Sequence, residues 1–147
     1  MTDTSRAALE AQLIRHEGMR LKPYRDSVGK LTIGVGRNLD DVGVSREEVM
    51  FMLGNDITKH VSECVVAFPW FEAMDEIRQR AVADLCFNMG LTKLLTFKNT
   101  LKCFALGDYD AAADNLMLSR WFSQVGSRGP RIVHMVRTGT EPPTEGS

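Results

Sequence analysis

No segment of this 147-residue chain is long and apolar enough to span a bilayer, and the opening MTDTSRAALEAQLIRHE lacks the apolar run of an export signal. That excludes membrane insertion and makes the cytoplasm the expected place of accumulation. Large net charge is missing as well. Eighteen Lys and Arg against nineteen Asp and Glu leave −1, so the whole molecule exerts no long-range pull on nucleic acid or an anionic wall. Cysteines are few and odd in number: Cys64, Cys86 and Cys103, with no Cys-x-x-Cys pair. Each lies among apolar neighbours, which points to reduced, buried thiols rather than a disulfide framework. With His16, His60 and His134 they show no metal-ligand spacing, so neither a metal nor another cofactor is expected. Internal repeats and low-complexity stretches are absent too.

What is present suits one compact soluble domain with a real core: 44% of residues are hydrophobic and 25% charged. The N-terminal segment reads as an amphipathic helix, capped by Thr4 or Ser5, with Leu9, Leu13 and Ile14 on one face and Gly18 at the stop. Pro23 then bars a helix. Ser27-Val28-Gly29-Lys30 looks like a hairpin turn, and the run from Leu31 to Gly36 alternates strictly. Leu31, Ile33 and Val35 should face one way and Thr32, Gly34 and Gly36 the other, a face suited to floor a groove rather than a core.

Ser45-Arg46-Glu47-Glu48 is a capping box that opens a long helix, with Val49, Met52, Leu53, Ile57, Val61, Cys64 and Val65 at helical spacing. A second strong helix is expected to carry Met74, Ile77, Ala81, Leu85 and Met89 and to stop at Gly90. Further helices are expected over residues 98–106, 109–118 and from Pro130 to about 136. The fold class is therefore α+β. Residues 15–45 are assigned to a small β lobe, 1–14 and 46–140 to a helical lobe joined to it by the long helix, and 141–147 to a flexible tail.

Two acids stand out in this frame. Glu17 closes the first helix, where the negative end of the helix dipole favours the protonated carboxyl, and Asp26 lies in a polar turn that keeps it ionised. Glycoside hydrolysis needs such a pair, one carboxyl to protonate the leaving oxygen and one to act on the other face. Many chains offer an Asp/Glu pair, so the pair alone decides little.

The run HEGMRLKPYRDSVGKLTIGVGRNL goes further. It resembles the catalytic segment of the phage-type lysozymes, the endolysin and muramidase family of the T-even phage enzyme. Glu-Gly, Tyr-x-Asp and Gly-x-x-Thr-Ile-Gly-x-Gly occur here in that order. Phe87-Asn88-Met89-Gly90, Phe97-x-Asn99-Thr100-Leu101, Ser119-Arg120-Trp121 and Arg137-Thr138-Gly139-Thr140 resemble later landmarks. The resemblance implies a two-lobed lysozyme-like fold that hydrolyses the β-1,4 bond between N-acetylmuramic acid and N-acetylglucosamine in peptidoglycan. It makes Glu17 the general acid and has Asp26 and Thr32 position water or stabilise charge on the sugar.

It also implies sugar-cleft positions for Phe87 and Thr100, an Arg128 that reaches Glu17, and an Arg37–Asp56 pair tying strand to long helix. For Phe87 a packing role is equally open, and Tyr24 either packs under the hairpin or lies at the cleft rim. Inversion of the anomeric centre is expected, with the carboxyls roughly 6.5–9.5 Å apart to admit water. The implied partner is peptidoglycan, met by a monomer that a separate membrane-permeabilising protein releases. Nucleic acid is not an expected partner.

This chain departs from the pattern in a short 38–44 link and in Arg37, which stands where the T-even enzyme has histidine. Rival readings are a lytic transglycosylase, which needs no second carboxylate, and a wall-binding domain without catalysis. The arginines of the basic stretch, Arg120, Arg128, Arg131 and Arg137, suit phosphates, but no recognition motif accompanies them.

Overall fold

A computed structural model describes residues 1–144. Among them the order is α1 (Asp3–Glu17), β1 (Arg20–Arg25), β2 (Leu31–Gly34), β3 (Arg37–Asn38), α2 (Arg46–Ala67), α3 (Glu76–Met89), α4 (Leu91–Leu94), α5 (Lys98–Leu106), α6 (Tyr109–Met117), α7 (Arg120–Gln124) and α8 (Arg128–Thr138). Helices and one small antiparallel sheet make the fold α+β and lysozyme-like. Among the described residues no helix is long and apolar enough to cross a membrane. The chain divides inside α2 into two compact units, Met1–Met52 and Leu53–Ser147.

In the first unit the cap of α1 is Thr2, whose hydroxyl accepts from Ser5 N at 3.1 Å, rather than Thr4 or Ser5. Gly18 ends the helix as expected, its φ of 78° turning the chain while its N–H bonds Ile14 O. The sheet runs β1-β2-β3, with Tyr24 opposite Thr32 and Thr32 opposite Asn38. The pairing of β1 slips between Arg20 and Tyr24, the stretch that holds Pro23, which cannot donate to a ladder. The alternation expected to run to Gly36 stops at Gly34, because Val35 and Gly36 form the turn into β3. Neither Leu31 nor Ile33 is buried, whereas Thr32 is.

Beyond that turn, Asp40 Oδ2 accepts from Leu31 N at 2.8 Å and Asp41 pairs with Lys30, so the short link is stapled back onto the hairpin. The capping box forms reciprocally: Glu48 N donates to Ser45 Oγ and Ser45 N to Glu48 Oε1.

The second unit carries the apolar core. Phe104, Leu85, Leu94, Leu116, Val82 and Val136 are fully enclosed, with Cys64 and Cys86 among them, all three thiols being free. Asp75 caps α3, and Trp121 reaches the core while its indole N–H bonds Asn88 Oδ1 at 2.9 Å. Arg78 donates to the carbonyls of Val136 and Arg137 at the end of α8 and stacks on Tyr109 at 3.9 Å. A cation on the last carbonyls complements the helix dipole. The tail expected to fray from Glu141 is held at its start, where Glu141 pairs with Arg80 and Pro143 O accepts from Arg131. The rest of that expected tail, residues 145–147, lies outside the described residues.

Candidate active site

Glu17, Asp26 and Thr32 all fall in the first unit and all depend on its sheet. Glu17 is the exposed last residue of α1. Its carboxylate lies over the turn between β2 and β3, so closely that a β-carbon on Gly36 would stand 2.9 Å from Glu17 Oε2. Gly36 also has a φ of +69°, which L side chains avoid. Two separate demands thus fall on one glycine, and meeting them lets the acid rest on bare backbone.

Asp26 opens the β1–β2 turn and organises it. Its Oδ1 accepts from Val28 N at 3.0 Å and Lys30 N at 2.8 Å, while its own N–H bonds Lys30 O. This use of a side chain in place of backbone is what Asp does well in tight turns, and Gly29, at φ +85°, turns the corner. Among the described residues Oδ2 accepts no hydrogen bond. One oxygen anchors the group and the other is left for a ligand.

Thr32 lies on the central strand, 3% exposed. Its hydroxyl donates to Lys30 O at 2.9 Å. The single hydroxyl proton is committed, so toward anything else Thr32 can only accept. Beside it in the register is Tyr24, half-buried under the Arg20 guanidinium 4.7 Å from its ring centre.

Arg37 takes a different partner from the one expected. Its guanidinium donates to Glu48 Oε1 at 2.8 Å and to Gly43 O at 3.1 Å. The short link brings β3 directly to the N-terminus of α2, where the capping-box glutamate is already oriented. The Arg37–Asp56 pair is therefore corrected to Arg37–Glu48. The Arg37 hydrogen bond, helped by those from Ser45, pulls the Glu48 carboxyl down to about 2.

The other three sequence candidates belong to the second unit. Phe87 is exposed on α3 and meets His60 edge-on at 5.4 Å. Thr100 is buried, 4% exposed, in the first turn of α5. Arg128 Nε stands 3.3 Å from Asp84 Oδ1. Burial pushes the Asp84 carboxyl up, against the pull of Arg128. Phe87, Asp84 and Arg128 share the wall of a cavity of about 680 Å³, and Thr100 is not part of it. The basic stretch is largely neutralised within the unit. Arg137 holds Asp114 and Asp110, Arg128 holds Asp84, and Arg131 is bonded to Pro143.

Sequence reasoning missed Gly36 as the support of Glu17, the Arg128–Asp84 pair, and the Asp40 and Asp41 staples. For Gly36 a signal existed in Gly-Val-Gly after an abruptly ended strand, but nothing local named the carboxylate that needs the space.

The family model described as phage lysozyme matches residues 14–136. Among curated relatives, the chain is 24% identical to "Probable T4-type lysozyme 1" of Dictyostelium discoideum, across 91% of this chain and 96% of that one. It is 30% identical to "Endolysin" of Acyrthosiphon pisum secondary endosymbiont phage 1, across 70% of each. It is 25% identical to "Pre-baseplate central spike protein Gp5" of Enterobacteria phage T4, across 93% of this chain but 29% of that protein.

Proposed function

We propose, from the premise that this chain belongs to the phage lysozyme family, that it is an endolysin. In this reading it hydrolyses the β-1,4 bond between N-acetylmuramic acid and N-acetylglucosamine in bacterial peptidoglycan. The observation that carries the reading is the state of three side chains of the first unit, at the end of α1, in the β1–β2 turn and on the central strand. Glu17 is exposed and lies against Gly36. Asp26 is anchored through Oδ1 alone, and Thr32 has given its proton to Lys30 O.

Glu17 protonates the glycosidic oxygen as the bond to the anomeric carbon breaks. A water donates one hydrogen to Thr32 Oγ1 and the other to Asp26 Oδ2. Both protons are then directed at the protein, and an oxygen lone pair is left to attack the sugar from the face opposite the leaving group. Fixed acceptors need no reorganisation as positive charge grows on the ring, which is where such a site lowers the barrier. As the water oxygen bonds the anomeric carbon, its proton passes to Asp26 Oδ2, and the displacement inverts the anomeric centre because the water rather than Asp26 forms the new bond. Phe87, Thr100 and Arg128 supply sugar contacts in this reading. The protein acts as a monomer and waits in the host cytoplasm until a separate protein opens the membrane.

Digestion of purified peptidoglycan followed by mass spectrometry tests the reaction type. Hydrolysis leaves reducing muramic ends, whereas 1,6-anhydro ends would mean a lytic transglycosylase and absence of cut glycan a wall-binding domain. NMR of fresh product tests the stereochemistry: the α-anomer should appear first. A glycosyl adduct trapped on Asp26 would make the enzyme retaining.

A further inference from the structure

We propose that His60, Glu63 and Cys86, in the second unit, form a site for a divalent cation of the zinc class. None of the three donors has a role in the proposed sugar chemistry. α2 presents His60 and Glu63 one turn apart, and α3 presents Cys86 beside them. His60 Nδ1 lies 3.7 Å from Cys86 Sγ and 2.8 Å from Glu63 Oε1, and the three donor atoms are all within 4.8 Å of one another.

The competing explanation is an ordinary His–Glu ion pair. It accounts poorly for one feature. Despite the 2.8 Å separation, Glu63 Oε1 is buried and accepts no hydrogen bond among the described residues. A buried carboxylate oxygen without a donor is costly. Whichever of the two atoms donates, the contact between His60 Nδ1 and Cys86 Sγ uses a proton that Glu63 Oε1 does not receive. A cation satisfies nitrogen, oxygen and sulfur together, which no single proton can do.

The spacing fits this chemistry. With a metal–sulfur bond of about 2.3 Å and a metal–nitrogen bond of about 2.0–2.1 Å, tetrahedral coordination sets nitrogen and sulfur about 3.6 Å apart. The present 3.7 Å already meets that. The nitrogen–oxygen distance must open by roughly half an ångström for such coordination, a small adjustment for a glutamate side chain that is 30% exposed.

A mixed nitrogen, oxygen and sulfur set selects against calcium and magnesium, which take oxygen ligands. The edge of Phe87 against the His60 ring fixes its orientation. Water fills the fourth position, and Cys86 releases its thiol proton to solvent as the metal–sulfur bond forms. The bound ion would staple α2 to α3.

Cobalt(II) is the probe. Added to the reduced, chelator-stripped full-length protein, it should give a thiolate-to-cobalt charge-transfer band that saturates at one equivalent and is lost on addition of zinc. At zinc a hundredfold above its Kd the melting temperature should rise by roughly 5–10 °C. His60→Gln and Cys86→Ser should each abolish the band, and Cys103→Ser should keep it. If Cys86→Ser does not fold, His60→Gln alone decides. A wild-type protein with no thiolate band, or a band that survives His60→Gln, would overturn the site. Because no readout depends on lysis, failure here is separate from failure of the proposed hydrolase activity.

Discussion

The first 52 residues and those that follow are held by different means. In the first unit Thr32 is the one buried side chain among the described residues, and the chain is fixed by hydrogen bonds: Asp26 across its turn, Asp40 onto Leu31, Glu48 onto Ser45 and Arg37. Among the described residues of the second unit eighteen hydrophobic ones are buried, from Cys64 to Val136. Apolar burial grows with area and is indifferent to direction, so it supplies stability. Charge-assisted hydrogen bonds are directional, so they can hold a carboxylate in place while it remains open to solvent. The proposed chemistry sits in the unit built the second way.

The largest expected break of this contrast is in the core. Phe104→Ala removes the bulkiest fully enclosed side chain and should lower unfolding stability by about 3–5 kcal/mol, read by chemical denaturation. At temperatures where the variant is folded its lysis rate should stay near normal. A loss below about 1 kcal/mol, outside the usual range for such a truncation, would mean that the core is not where stability resides.

Gly36→Ala is the opposite case. Its methyl meets the far end of a flexible side chain, Glu17, at a positive φ. The stability cost should be only about 1–2 kcal/mol, whereas displacement of the acid by about an ångström should slow lysis by roughly 100-fold. Equal proportional losses in both measurements would erase the distinction between the units.

The smallest effect concerns pH. Glu48 has its carboxyl depressed to about 2, first by Arg37 and then by Ser45. A carboxyl depressed in the folded state contributes stability that is present above its ordinary value, near 4.5. That stability fades as pH falls toward 2. Amide exchange across residues 37–48 should therefore accelerate on acidification through this window, and Glu48→Gln should flatten the dependence. Parallel profiles for the two proteins would remove Glu48 from the account.

The legible parts of the molecule were the local ones. Gly18 and Gly90 stop their helices, Ser45 and Glu48 close a box within four residues, and α5 spans the stretch its spacing indicated. Two-residue β3, α4 and α7 were not anticipated. A strand that short exists only through its pairing with β2, and single-turn helices carry too little periodicity to read.

The partner of Arg37 was missed for another reason. A family pattern suggested Asp56, while the capping box had already placed Glu48 at the end of a short link. Resemblance named the candidate trio, but it could not reveal that Thr32 spends its proton on Lys30, that Asp26 is anchored by one oxygen, or that Gly36 makes room for Glu17. The bonds of Thr32 and Asp26 join residues two to four apart, where the sequence names the neighbours but not which atoms meet. Of the three facts only the last is tertiary. The same holds for Cys86, which meets His60 only because α3 packs beside α2.

Lysis and stability measured together on Glu17→Gln test the central claim most directly. The amide keeps the shape of the side chain and its fit over Gly36 but has no acid proton to give. Lysis of purified walls should fall by at least about 100-fold, the usual cost of losing a general acid. The denaturation midpoint should match that of the parent protein, since Glu17 is an exposed helix end outside the core. A variant that unfolds like the parent and still lyses walls at near-parent rate would contradict the assignment of the acid, and with it the claim that the first unit carries the chemistry.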